Sequence, residues 1–103
     1  MRATLFFVLP FLATAALADD DPCPKVGEIG EKIMTLRQNR ESLQSTLTET
    51  KAMMEPKFHD ALENMIIAAY EVPAYNTAEL KRNAIGDFRD QVQLGCMKGR
   101  KGK

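Results

Sequence analysis

Cys23-Pro24-Lys25-Val26-Gly27-Glu28-Ile29-Gly30-Glu31-Lys32-Ile33-Met34-Thr35-Leu36-Arg37-Gln38 is the stretch that decides the fold. Val26, Ile29, Ile33 and Leu36 fall at helical steps, the spacing that draws a single apolar stripe along a helix. Pro24 suits an opening turn, where its missing N–H is no loss, so a helix is predicted from just after it. Arg40 interrupts the stripe, and Leu43 and Leu47 resume it. Either one helix runs from Lys25 to about Lys51, or the chain breaks near Asn39-Arg40. The break is the reading adopted, because Asn39 tolerates a left-handed position after a helix end and Ser42 can cap a fresh helix.

Downstream the same periodicity continues. Pro56 belongs in a first helical turn or a loop, and from it a helix is predicted to about Glu71, with Phe58, Leu62, Met65, Ile66, Ala69 and Tyr70 on one face. Val72-Pro73-Ala74-Tyr75-Asn76 reads as a connector, since the residue before a proline is pushed towards extended geometry. The last helix starts near Thr77. Asn76 with Glu79 has capping-box spacing, and Thr77 is an equal candidate for the cap. Ile85, Phe88 and Val92 make its stripe, with Leu80 or Lys81 near one end and Cys96 at the other. Gly99 and Gly102, set among lysines, are expected to end it. Strand signals are almost absent. The expectation is an all-α fold, a small bundle of three to four short helices.

Upstream, Arg2 gives a positive start, Leu5 to Leu12 a short apolar run, and Ala16-Leu17-Ala18 a small-x-small cleavage site followed at once by three aspartates. This is the pattern of a secretory signal peptide over residues 1–18, cleaved after Ala18. The apolar run is short of the ~20 residues a membrane span needs, and Asp21-Pro22 before Cys23 does not make a lipobox. The chain is therefore expected to be periplasmic or secreted. Cleavage leaves an acidic segment 19–24, a helical domain 25–97 and a basic disordered tail 98–103. A domain this small is marginal without a staple. In an oxidising compartment Cys23 and Cys96 are expected to supply one, worth about 4 kcal/mol in the chain-entropy model; two free thiols or an intermolecular bridge are the alternatives.

Removing Arg2 with the leader leaves thirteen basic and fourteen acidic residues. Such balance points to no nucleic acid and no anionic membrane. Asp19-Asp20-Asp21 and the terminal lysines and arginine read as solvated ends with at most a weak mutual attraction.

Ile33-Met34-Thr35-Leu36-Arg37-Gln38 after Cys23, then Ala69-Tyr70, Pro73, Tyr75, Asn76-Thr77, and Ala84-Ile85 with Asp87-Phe88 before Cys96 resemble a set of small exported two-cysteine helical proteins of Gram-negative bacteria. In that set a first cysteine precedes a helix ending in Arg-Gln, an Ala-Tyr-x-x-Pro-x-Tyr connector follows, and a second cysteine lies near the C-terminus. The resemblance covers most of the chain after the leader. It implies a fold type and a compartment but no reaction. Where this chain has Asn39-Arg40, the resemblance would place a glycine.

Chemistry is sparse. His59 is the only histidine; with Glu55 and Glu63 it makes a column that is a weak metal candidate, lacking the second histidine or cysteine such a site wants. Met34, Met53, Met54, Met65 and Met97 raise copper(I), yet they are scattered and suit core filling and adaptable surface. No cofactor is expected. Arg37, Gln38 and Arg40 cluster where the first helix ends. They complement its dipole, or Arg37 ties the helix end to Tyr70 and the Tyr75 connector as a structural polar link. Tyr75 beside a proline, and the Met53-Met54 loop, are the candidate partner contacts. No activated nucleophile, phosphate loop or paired-carboxylate site is present, so the chain reads as no enzyme. The functional expectation is a binder or modulator of another envelope protein. The alternatives are an envelope-stress holdase chaperone and a metal-binding periplasmic protein. Oligomeric state is open.

Overall fold

The computed structural model describes residues 21–101; the leader with its cleavage site, Asp19-Asp20 and residues 102–103 lie outside the described residues. Within that range the chain forms four α-helices and no strand: α1 Cys23–Gln38, α2 Leu43–Ala52, α3 His59–Tyr70 and α4 Ala78–Lys101, with a 3-10 turn over Pro56–Phe58 leading into α3. This is the expected all-α bundle. It is stapled by a Cys23–Cys96 disulfide that joins Cα atoms 5.5 Å apart across 73 residues of chain.

α1 is the centre of the packing. α4 lies along it, α3 packs on it, and α2 packs on α3. The helix begins at Cys23, earlier than expected, so Cys23 and Pro24 are helical and not part of an acidic lead-in. The Asp21 carboxylate accepts the Cys23 N–H at 3.1 Å. Because two helices cover α1, its buried set is wider than one stripe: Cys23, Gly27, Gly30, Ile33, Met34 and Gln38 are buried, whereas Leu36 is half-buried. A Cβ at Gly30 would lie 2.9 Å from Val92 Cγ2, so the α1–α4 crossing depends on that missing atom.

The break after α1 is present, and the left-handed residue is Arg40 (φ 63°), not Asn39 (φ −82°). The Glu41 N–H donates to Leu36 O at 3.0 Å and the Arg40 N–H to Arg37 O at 2.9 Å. That pair of bonds is a Schellman ending, which demands positive φ one position after the cap residue. α1 runs to Gln38, so that position falls on Arg40.

α2 starts as expected, with Ser42 Oγ accepting the Ser45 N–H at 3.0 Å. Its buried face centres on threonines, and of the leucine stripe only Leu47 packs against the core. Thr46 and Thr50 are buried while Leu43 is 46% exposed. The break frees α2 from the register of α1, and hydroxyl bonding orients it. Thr46 Oγ1 and Tyr70 Oη lie 2.7 Å apart, Tyr70 Oη donates to Glu41 O at 2.8 Å, and Thr50 Oγ1 donates to Thr46 O at 2.7 Å.

Phe58 departs from the expected α3 face and is 45% exposed. It sits in the tighter 3-10 turn, which takes it off the register of Leu62, Ile66 and Ala69. At the start of α4 the cap is Thr77, whose Oγ1 accepts the Leu80 N–H at 3.1 Å; Asn76 instead accepts from Arg40 Nη2 at 2.9 Å. Lys81, not Leu80, continues the inner face, donating Nζ to Gln38 O at 2.5 Å. α4 passes through Gly99 to Lys101, so residues 98–101 are helical where a disordered tail was expected. Arg100 pairs with Asp21, which ties the approach to α1 to the last turn of α4. Ile33, Met34, Leu62, Ile66, Ala69 and Phe88 form the core. No helix of the described residues is long and apolar enough to cross a membrane.

Candidate functional site

The end of α1 is tied to the connector by side chains that read its backbone. Arg37 Nε donates to Val72 O at 2.8 Å. Gln38, 1% exposed, donates Nε2 to Pro73 O at 2.8 Å and accepts the Tyr75 N–H on Oε1 at 2.8 Å. Arg40 Nη2 donates to Ala74 O at 2.9 Å. The Arg37 guanidinium lies 5.1 Å from the Tyr70 ring centroid. An extended connector exposes its carbonyls and N–H groups, and each must find a partner once it is covered. Four consecutive connector residues find theirs in Arg37, Gln38 and Arg40. Arg37, Gln38 and Arg40 thus hold the connector, while Tyr70 meets Arg37 through its ring and turns its hydroxyl to Glu41 O.

His59 is built into the fold in a similar way. Its Nε2 lies 3.0 Å from Lys51 O and 3.1 Å from Met54 O. A carbonyl can only accept, so Nε2 carries the proton and donates, closing the C-terminal end of α2. Glu63 pairs with Lys51 Nζ at 2.7 Å. The Lys51 hydrogen bond and charge hold the Glu63 carboxyl below its ordinary value, with the nearby His59 adding a smaller pull in the same direction. Glu55 pairs instead with Lys57 at 3.6 Å. The three residues of the sequence column therefore turn to different partners. Among the described residues no group of three His, Cys, Asp or Glu side chains is placed to hold a metal ion.

The two candidate contact regions border the outer two of three neighbouring pockets that share lining residues. Met54 is drawn onto the core while Met53 is 61% exposed, so the Met53-Met54 loop is not uniformly open. Met54, Phe58 and Met65 line a small apolar pocket of about 110 Å³ that also touches Val26 and Ile29 of α1. That pocket shares Ala61 and Met65 with a larger one of about 570 Å³ between α3 and α4, bounded by Ala68, Phe88, Val92 and Gly95. The second shares Phe88 and Gln91 with a third of about 340 Å³, walled by Val72 and Tyr75 of the connector and by Asn83 and Asp87 of α4.

These pockets have a simple origin. α3 and α4 both pack on α1 but scarcely on one another, so one side of the three-helix arrangement stays open. Small residues line it at Ala61, Ala68 and Gly95, and a Cβ at Gly95 would meet nothing within 4 Å. The polar link described above sets one wall, because the Gln38 amide holds Tyr75 by its backbone N–H. Asp87 is the one charged side chain lining these pockets. Sequence reasoning singled out Tyr75 and Met54 but missed Ala61, Ala68, Asp87 and Gly95. The available signal was the recurrence of small residues, Ala61 with Ala68 and Gly95 after Phe88, at whole-heptad spacing where a closed bundle places bulk. Compared with known proteins, the chain matches no family model, no curated protein and no solved structure.

Proposed function

We propose that this is an exported protein that binds another envelope or secreted protein by taking a helical segment of it into the cleft between α3 and α4. The observation that carries this reading is the open third side of the arrangement. Two helices flank an open trough lined by Ala61, Met65, Ala68, Phe88, Val92 and Gly95. Binding by helix-in-groove uses such a surface, with apolar anchors spaced along the guest. The Cys23–Cys96 bridge supports export, since disulfides persist in oxidising compartments, as does the leader pattern of residues 1–18.

The test is in-cell photo-cross-linking of a tagged copy exported by its own leader. The photoreactive residue is placed at Ala68 or Tyr75, and at Lys32 on the exposed side of α1 as control. One or two envelope proteins cross-linked from Ala68 and Tyr75 but not from Lys32 is the expected result. A broad spread of unrelated clients that grows under acid stress would replace this reading with the holdase. Equal yields from all three positions would refute the cleft as the site.

A further inference from the structure

The cleft has a polarity along its length. Towards the C-terminal half of α4 it carries no charge, with Met65, Phe88 and Val92, edged by Asn64 and Gln91, around the bare backbone of Gly95. Towards the connector, where Val72, Tyr75 and Leu80 join Asn83, it gains its one charge, Asp87. Asp87 is exposed, and none of the ion pairs among the described residues engages it. A guest that covered it without offering a cation would strip water from a carboxylate with no return. Gly95 adds a second constraint. Glycine inside a helix is less favourable than alanine, and nothing in the fold occupies the space its Cβ would take. That space is available to a guest side chain.

We infer that the occupant is an amphipathic helix bearing a lysine or arginine about two turns after an apolar side chain, the cation meeting Asp87 and the apolar group seated over Gly95. This rests on the cleft being the binding site. The spacing follows from the host helix. Asp87 and Gly95 are separated by ~12 Å of helical rise, and a guest helix covers that in ~7–8 residues, a spacing that returns to the same face. The orientation follows from the dipole. A helix favours cations near its C-terminus, so the guest runs antiparallel to α4, its C-terminal end beside Asp87.

The experiment immobilises the exported, disulfide-bonded protein and pans it against a display library of helix-forming peptides of about 16 residues, long enough to span the cleft. The expected consensus is an apolar position followed seven or eight residues later by Lys or Arg. The best peptide should lose about tenfold in affinity for the Asp87→Lys variant and recover when its cation is replaced by glutamate. Gly95→Trp should abolish capture without lowering the melting temperature, since the space there is empty. Enriched peptides that lack the cation but still need Gly95 would overturn the charge assignment and leave the cleft standing. Peptides indifferent to Gly95→Trp, or no enrichment, would overturn both. A concentration-dependent dimer abolished by Gly95→Trp would make a second copy the occupant and overturn the assignment of a foreign helix.

Discussion

Gly30 offers the sharpest test of the α1–α4 crossing. Replacing it with alanine would normally help a helix by about 1 kcal/mol. Here the new methyl would sit 2.9 Å from Val92 Cγ2 and 3.1 Å from Val92 Cβ. The γ-carbons of a valine are stiff in a helix, and its Cβ moves only with the backbone, so α4 itself must retreat. The disulfide one turn further along, at Cys96, opposes that retreat. Overpacking costs about 1–3 kcal/mol, and a fixed neighbour puts Gly30→Ala at the upper end of that range. Net of the propensity gain, the variant should be about 2 kcal/mol less stable, or about 8–16 °C lower in Tm for a domain of this size. Thermal and urea unfolding followed by circular dichroism would read it. Gly86→Ala is the control, since a Cβ there meets nothing within 4 Å; it should gain about 1 kcal/mol. Adding Val92→Ala to Gly30→Ala should recover part of the loss, because residues in contact do not act additively. A Gly30→Ala protein as stable as the parent would refute the close crossing.

Other perturbations probe the link and the loops. Gln38→Ala would leave Pro73 O and the Tyr75 N–H without partners inside the fold and should cost about 2–4 kcal/mol in urea unfolding, with Tyr75 fluorescence reporting a looser connector. At position 40, glycine should be more stable than alanine by about 1 kcal/mol, because both lose the Arg40 bonds to Ala74 and Asn76 but only alanine carries the strain of φ 63°; equal stabilities would count against the left-handed ending. Glu63 has a carboxyl lowered from about 4.5 by Lys51. A depressed acid stabilises the fold fully above its unfolded value and loses that contribution as pH falls through the folded value. The Tm difference between parent and Glu63→Gln should therefore be present at pH 6, shrink below pH 4.5 and weaken in high salt; a difference constant from pH 6 to 3 would exclude the pairing.

The departures from expectation have separate local causes. Helical spacing carries Leu43 and Leu47 across the break into the α1 stripe, but a Schellman turn at Arg40 resets direction; Leu47 still packs against the core, whereas Leu43 turns outward and Tyr70 selects the threonines of α2. Phe58 was grouped with α3 because 3-10 and α turns are indistinguishable at a spacing of four. Gly27 and Gly30 lie off the Val26-Ile29-Ile33-Leu36 stripe, yet they follow Cys23 at helical spacing on the side that meets α4. The site was legible only in part. Tyr75 and Met54 stand out as residue types, whereas Ala61, Ala68 and Gly95 matter through the space they leave.

What the sequence determined by itself is the local physics: helical periods, the proline and Ser/Thr boundaries, the break after Gln38 and the cysteine staple. Each depends on neighbours within a few residues or on the pairing of the only two cysteines. What the tertiary structure decided is which faces meet. Gly30 lets α4 come close to α1, Gln38 and Arg37 fix the connector, and with α1 occupied by both α3 and α4 those two helices stay apart. A cleft is a property of helices whose backbones stay apart, and no spacing within one helix encodes a distance between two.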